Sequence, residues 1–200
     1  MIDLTSWKSR AAILLGSLTL VWAVSLYGLF VDERLVYALA LVPRRIEGLP
    51  GILSTPLVHG SFTHLLANTV PLLILGGMVV ARGVAYYFAV TLAIVVLGGL
   101  GLWVFGRNAA HIGASGLIFG YFGLLVARGY YERSLQAIAV AIVVVVVYGG
   151  MVAGVLPRGD QVSWEAHLFG LLAGGVCARA ALGRALANTD QGLRGRDSGE

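Results

Sequence analysis

The chain has 200 residues, of which 58% are hydrophobic and only 12% are charged. A soluble domain ordinarily carries about 25% charged residues, so this composition excludes an ordinary soluble enzyme and indicates a membrane protein. The net charge of +4 comes from basic residues between apolar stretches, with no nucleic-acid-binding motif, and no nucleic-acid partner is predicted. The single cysteine, Cys177, excludes an internal disulfide and a cysteine-based zinc site.

Six apolar stretches alternate with polar connections along the chain, at residues 11–30, 63–80, 84–105, 113–127, 135–156 and 166–182. A helix needs about 20 apolar residues to cross a bilayer, so the stretches predict six membrane-spanning helices. The first exceeds the roughly 7–15 residues of a signal-peptide core, and we interpret it as a retained span. The predicted fold is an all-α membrane protein, with a six-helix bundle over residues 1–183. The polar residues 184–200 predict a disordered C-terminal tail.

Lysine and arginine predict how the bundle is oriented, because the cytoplasmic side of a membrane protein is enriched in them. One side receives nine of the 14 basic residues: Lys8, Arg10, Arg82, Arg128, Arg133, Arg179, Arg184, Arg194 and Arg196. The protein is predicted to cross a cell (inner) membrane several times. With the basic side facing the cytoplasm, both termini are predicted to be cytoplasmic. The second, fourth and sixth spans then all begin at the extracytoplasmic face.

Each of these three beginnings carries polar side chains. His64 and Asn68 open the second span, Ser115 opens the fourth and His167 opens the sixth. Polar groups are costly inside a membrane and indicate function by default. Three such clusters at one depth predict a single polar site that opens to the extracytoplasmic side.

The residue types at this site are those of a serine hydrolase. A serine hydroxyl becomes an effective nucleophile when a base takes its proton, and histidine is the natural base near neutral pH. His64 and Asn68 are four residues apart, so they project from one helix face towards a developing oxyanion. The backbone N–H of Ser115, at a helix N-terminus, is a third predicted donor.

Glycine spacing predicts how serine and histidine meet. Gly116 and Gly120 lie on the fourth span, and Gly170 and Gly174 lie on the sixth. Two such small-residue faces allow close approach of the helix backbones.

Three further polar residues have less specific interpretations. We expect His59 to be an interfacial residue that orders the start of the second span. A loop-structuring role is favoured for His111, with the lining of a water cavity as the alternative. Glu165 is expected at the surface.

Taken in order, these residues resemble the rhomboid family of intramembrane serine proteases. The resemblance covers His59 through His64-x-x-x-Asn68, Gly113-Ala114-Ser115-Gly116, and Ala166-His167-x-x-Gly170-x-x-x-Gly174. It implies a six-helix core, transmembrane protein substrates and a Ser115–His167 dyad without a triad carboxylate, cofactor or metal. It also implies an oxyanion hole formed by His64, Asn68 and the Ser115 backbone.

Two positions depart from the family pattern. Phe119 stands where many rhomboids have a tyrosine that stacks on the catalytic histidine; stacking is expected to survive without the hydroxyl. The connection at residues 32–51 lacks the family's Trp-Arg pair, and Pro43-Arg44-Arg45 is expected to anchor it to lipid headgroups.

Other classes of protein fit the sequence less well. An aspartyl intramembrane protease needs aspartates inside spans, and a zinc protease needs a His-Glu-x-x-His helix; the sequence has neither. A transporter or channel predicts polarity through the whole membrane, whereas here it stops near one face. The alternative that stays open is a catalytically inactive rhomboid-like protein that binds or escorts membrane proteins.

Overall fold

The computed structural model describes residues 6–157 and 162–197, with side chains described up to residue 181. These residues are mostly α-helical, and their β structure is one isolated antiparallel bridge between Leu41 and His111. The helices are α1 (Trp7–Phe30), α2 (Arg34–Ala38), α3 (Gly51–Ser54), α4 (Phe62–Val80), α5 (Val84–Phe105), α6 (Ser115–Glu132), α7 (Leu135–Tyr148) and α8 (Trp164–Asp197). Short 3-10 helices lie at Ile46–Gly48, Thr55–Leu57 and Gly149–Val155.

Serine residues begin three of the long helices. Ser6, Ser61 and Ser134 precede α1, α4 and α7, and each Oγ accepts a hydrogen bond from the N–H three residues further on. Such caps satisfy one of the N–H groups that a helix start leaves without an intrahelical partner. At α4 the capped N–H belongs to His64, so the cap also fixes where this side chain leaves the helix.

Four helical segments of the described chain are long and apolar enough to cross a membrane: Trp7–Phe30, Phe62–Val80, Val84–Phe105 and Leu135–Val155. The other two predicted spans correspond to α6 and the first part of α8. Polar and charged side chains lower the hydropathy of these two helices, among them Arg128 and Glu132 in α6 and Glu165 in α8. The multi-helix membrane bundle predicted from the sequence is confirmed.

Helix α6 is the centre of this bundle. It buries ten of its 18 residues, whereas α7 buries two of its 14. Helices α4, α5, α7 and α8 all pack against α6, and α8 does so most extensively. Because α6 begins at Ser115, this serine lies at the N-terminal end of a helix that is mostly buried within the described bundle.

Glycine faces bring α6 and α8 into backbone contact. A Cβ atom on Gly170 would collide with the Gly116 carbonyl oxygen, and one on Gly174 would collide with the Gly120 carbonyl oxygen. The structure thus has the close approach of these two helices that the glycine spacing predicts. No residue larger than glycine fits at either position of α8 without moving the helices apart.

The connection between α1 and α4 is held against the bundle by its own polar groups. Arg44 Nη1 donates to the carbonyl oxygens of Gly106 at 2.7 Å and Val104 at 3.2 Å, at the C-terminal end of α5. Its guanidinium group thus binds carbonyls at a helix end that have no intrahelical donor, and the anchoring of this connection to lipid headgroups stays a prediction. The neighbouring bridge from Leu41 to His111 joins this connection to the loop that precedes Ser115.

Helix α8 continues to Asp197, beyond the boundary at residue 183 that the sequence predicts for the membrane domain. Side chains from residue 182 onward lie outside the described part of the structure. The disorder of residues 184–200 therefore stays a prediction.

Two adjacent glycines of α8 test the contact with α6. We expect Gly174→Ala to lower the free energy of unfolding by about 1–3 kcal/mol, the usual cost of overpacking, because its Cβ would lie 2.7 Å from Leu124 N and collide with the Gly120 carbonyl. Gly175→Ala is the matched control, since a Cβ there meets nothing within 4 Å. Thermal unfolding in detergent measures both variants, and equal midpoints would contradict the assigned contact.

Candidate active site

The N-terminal ends of α4, α6 and α8 meet around one cavity of about 650 Å³. Its lining includes His64 and Asn68 from α4, Ser115 and Phe119 from α6, and His167 from α8. The 3-10 helix Gly149–Val155 contributes Met151, and the loop before α6 contributes Ala110 and Ile112. The structure therefore brings together the three polar clusters that the sequence distributes over separate helices.

Ser115 and His167 are in direct hydrogen-bond contact. The distance from Ser115 Oγ to His167 Nε2 is 2.9 Å, and His167 is only 8% exposed. The other ring nitrogen, Nδ1, lies 2.9 Å from the carbonyl oxygen of Gly154. A carbonyl can only accept, so Nδ1 carries the proton. In the neutral ring Nε2 is then an acceptor for the serine hydroxyl, which is the arrangement that a general base requires.

Gly154 is a residue that the sequence interpretation missed. Its contribution is a backbone carbonyl, which has no signature in the side-chain pattern. Its lack of a side chain is also needed, since a Cβ there would lie 3.0 Å from Phe119 Cζ and 3.2 Å from His167 Nδ1. The sequence offers one hint of this role, which is a glycine near the end of the fifth predicted span, where the apolar stretch gives way to a polar loop.

Phe119 stacks on the His167 imidazole. The ring centroids are 4.2 Å apart and the planes differ by 5°. Phe119 lies one helical turn after Ser115, so the same face of α6 supplies both the hydroxyl and the surface on which the imidazole rests. The predicted stacking thus occurs with phenylalanine, and the ring rotation of His167 is restricted from this side.

Two candidate oxyanion donors, His64 and Asn68, line the cavity from α4. Asn68 is buried, and its Nδ2 donates to the His64 carbonyl at 2.8 Å, which leaves its second N–H available. The His64 ring lies against Gly113, where a Cβ would be 2.7 Å from His64 Cε1. Gly113 also has φ +107°, a conformation that favours glycine, so this position needs glycine for two separate reasons.

His59 is completely buried, with 0% exposure, so the expectation of an interfacial residue is wrong. It lies in the turn before α4, where α1 and the loop before α6 enclose it through Ser25 and Ala114. Burial, together with a smaller effect of His64, lowers the pKa of His59 to about 4. The imidazole is therefore neutral at physiological pH.

A second set of polar contacts joins the loop before α6 to the start of α8, through His111 and Glu165. Glu165 is 3% exposed and pairs with Arg107 across 3.7 Å, so its predicted surface position is wrong. His111 is buried, its Nδ1 lies 2.5 Å from Ser163 Oγ, and its Nε2 donates to the Arg107 carbonyl. Burial lowers the pKa of His111. These contacts join the loop before Ser115 to the helix that carries His167, which is the loop-structuring role favoured for His111.

Within residues 6–157 and 162–197, no three or more His, Cys, Asp or Glu side chains are grouped so that they could hold a metal ion.

Comparisons with known proteins show the family to which the chain belongs. The sequence pattern of the Rhomboid domain matches residues 47–184. An uncharacterized protein of Mycobacterium tuberculosis is 41% identical over 145 residues, which cover 68% of this chain and 60% of the relative. A Bacillus subtilis protein provisionally named rhomboid protease YdcA is 29% identical over 127 residues (61% of this chain, 62% of the relative). RHOMBOID-like protein 5 of Arabidopsis thaliana is 30% identical over 128 residues (58% and 39%).

The match covers about three fifths of the length of the mycobacterial relative. Within this chain, the match to the Rhomboid domain includes every helix that contributes to the cavity, because the domain pattern begins before α4 and ends within α8. With more than half of its residues matched by the Rhomboid domain, the chain belongs to the rhomboid family of membrane proteins.

Proposed function

We propose that the chain is an intramembrane serine endopeptidase, which hydrolyses peptide bonds in or near the transmembrane segments of other membrane proteins. The observation that carries this proposal is the 2.9 Å contact between Ser115 Oγ and His167 Nε2 within the cavity. A protein that only binds or escorts membrane proteins has no need of a hydroxyl hydrogen-bonded to a correctly oriented imidazole. Family membership and the B. subtilis relative support the same class of reaction.

The first chemical step is acylation of Ser115. Its oxygen attacks the scissile carbonyl carbon, and its proton moves to His167 Nε2, while Nδ1–H remains bonded to the Gly154 carbonyl. The imidazolium then gives this proton to the nitrogen of the leaving peptide as the C–N bond breaks. The products of the step are an acyl ester on Ser115 and the released amine.

The negative charge on the tetrahedral intermediate needs hydrogen-bond donors fixed in advance. The free N–H of Asn68, a ring N–H of His64 and the backbone N–H of Ser115 are the proposed donors. Ser115 is the first residue of α6, so its N–H has no partner within the helix, and the helix dipole adds positive potential there. All three residues line the cavity.

The second step is hydrolysis of the acyl ester. Water attacks the ester carbon, its proton goes to His167 Nε2, and the serine oxygen leaves with that proton, which restores the free enzyme and releases a carboxylic acid. Water must therefore reach Ser115. The cavity is large enough for several water molecules and has polar lining groups on three of its helices.

The substrates and orientation follow from the same proposal. Because the cavity opens among helices of a membrane bundle, it favours a transmembrane protein substrate that unwinds near one end of its span. The distribution of basic residues supports a cell (inner) membrane location, with cytoplasmic termini and an extracytoplasmic active site.

A serine-reactive fluorophosphonate tests the nucleophile. We expect the detergent-solubilised protein to be labelled and Ser115→Ala to lose all labelling, because a hydroxyl reacts only when a base accepts its proton. In-gel fluorescence measures the reaction.

Two other serines that line the cavity, Ser61 and Ser163, provide the matched controls. Their alanine variants should keep the label, since neither hydroxyl contacts His167 in the described contacts. A label that persists in Ser115→Ala but disappears in one of these variants would move the nucleophile. An unlabelled wild-type protein would favour the inactive, client-binding alternative.

His167 should be required for turnover of a peptide bond. We expect His167→Ala to lower kcat for a model transmembrane substrate in proteoliposomes by at least 10³-fold, an order of magnitude typical of loss of one member of a nucleophile–base pair. Gel analysis of the cleavage products measures it. Cleavage at the wild-type rate would contradict the role of His167 as the base.

The oxyanion donors should affect kcat rather than KM. We expect Asn68→Ala to lower kcat by about 10²–10³-fold, because this donor acts on charge that develops only in the transition state. Thr69→Val is the matched control at the next position of α4: its hydroxyl donates to the Leu65 carbonyl, accepts from Trp22 Nε1 of α1 and does not line the cavity. If both variants lose activity equally, Asn68 acts by holding α4 together and is not a donor to the oxyanion.

A further inference from the structure

His59 lies behind the cavity and contacts both sides of the proposed oxyanion hole. Its Nε2 accepts a hydrogen bond from the backbone N–H of Ala114 at 3.3 Å, directly before Ser115. Its ring meets the His64 ring edge-on, with centroids 4.9 Å apart. A fully buried imidazole thus contacts both the backbone that carries one proposed donor and the side chain that provides another.

The protonation of His59 follows from its partner in α1. Ser25 Oγ lies 2.9 Å from the Leu57 carbonyl and 2.9 Å from His59 Nδ1. The serine has one proton, and the carbonyl can only accept, so the proton of Ser25 points to Leu57. His59 Nδ1–H must then donate to Ser25, and Nε2 is left with a lone pair. Ala114 N–H bonds to that lone pair.

These bonds fix two successive amides before the nucleophile. Gly113 N–H donates to the Thr55 carbonyl at 3.0 Å, and Ala114 N–H donates to His59. Both acceptors come from the segment between α3 and α4. Because each peptide unit is planar, fixing the Gly113–Ala114 unit leaves φ and ψ of Ala114 as the two dihedrals that set the direction of the Ala114–Ser115 unit. The direction of the Ser115 N–H therefore depends on acceptors that do not themselves line the cavity.

We propose that His59 is a positioning residue for the oxyanion hole: the chain of hydrogen bonds from Ser25 through His59 to Ala114 orients the Ser115 N–H, and the ring contact orients His64. Helix α1 then takes part in catalysis through Ser25, although it contributes no residue to the cavity lining. This inference rests on the proposed serine protease function and adds to it a residue and a helix that the dyad and its donors do not include.

The simpler interpretation is a buried histidine that only stabilises the turn before α4. The two interpretations differ in what substitution does to kcat. A positioning role requires an acceptor at the place of Nε2, which glutamine can supply and leucine cannot. A role in packing alone requires only a side chain of similar volume.

Kinetics with a model transmembrane substrate in proteoliposomes tests the positioning role. We expect His59→Leu to lower kcat by about 10²-fold, because residues that orient the groups in direct contact with the substrate typically contribute factors of about 10–100. His59→Gln should recover a large part of this loss, and KM should change little in both variants. Thermal midpoints measured on the same samples separate misfolding from mispositioning. Equal kcat for the two variants, or a loss of kcat that follows the midpoint, would overturn the proposal.

Ser25 provides a variant outside the site, with a matched control on the same helix. Ser25→Ala removes the acceptor that fixes the tautomer of His59, and we expect kcat to fall by about 10-fold. Ser17→Ala removes a hydroxyl of α1 whose bond goes to the Ile13 carbonyl of its own helix, and kcat should not change. Wild-type kcat in Ser25→Ala would show that α1 has no such role.

A spectroscopic measurement tests the hydrogen-bond chain without any activity. With four histidines in the chain, the imidazole ¹⁵N signals can be assigned by single His→Gln variants. We expect His59 to have a protonated Nδ1 and an unprotonated Nε2. Because burial, with a smaller effect of the ionisable neighbour His64, lowers the pKa of His59 to about 4, this signature should persist at pH 5.5.

A protonated Nε2, or a charged ring at pH 5.5, would overturn the assignment of donors. Failure of the wild-type protein to label or cleave would instead refute the proposed function and leave the spectroscopic result standing.

Discussion

The site depends on one packing constraint, the backbone contact between α6 and α8. Gly116 and Gly120 face Gly170 and Gly174 so closely that neither glycine of α8 can carry a side chain. Ser115 begins α6 and His167 lies one turn before Gly170, so this contact brings the hydroxyl and the imidazole within 2.9 Å. Helices packed at the usual 8–10 Å separation through larger side chains would hold the same two residues too far apart to exchange a proton.

A second constraint is that the polar groups of the site are satisfied mainly by backbone atoms. The Gly154 carbonyl binds His167, the His64 carbonyl binds Asn68, and the Ala114 N–H binds His59. A buried polar group without a partner costs several kcal/mol in an apolar environment (about 2–7). Satisfying these groups with neutral backbone dipoles means that His167, Asn68 and His59 need no charged hydrogen-bond partner there.

Two contacts with different effects orient His167. The Phe119 ring restricts rotation from one side, and the Gly154 carbonyl selects which nitrogen carries the proton. A tyrosine hydroxyl at position 119 is not required for either effect. The carbonyl belongs to the 3-10 helix that ends the fifth span, so the protonation state of the base depends on the conformation of that segment. The geometry of this 3-10 helix is therefore part of the site, although its side chains are apolar.

Much of this architecture could be predicted from the sequence alone, because hydropathy locates the spans and their order decides which ends share a face. The order of the spans predicts that His64, Asn68, Ser115 and His167 lie at the same face. The spacing of the glycines predicts the close contact between α6 and α8. The roles of Gly154, His59 and Glu165 were decided only by the tertiary structure. A backbone carbonyl leaves no mark in a side-chain pattern. The burial of a polar residue such as His59 or Glu165 depends on which segments pack around it, so neither property can be read from the residues nearby in the chain.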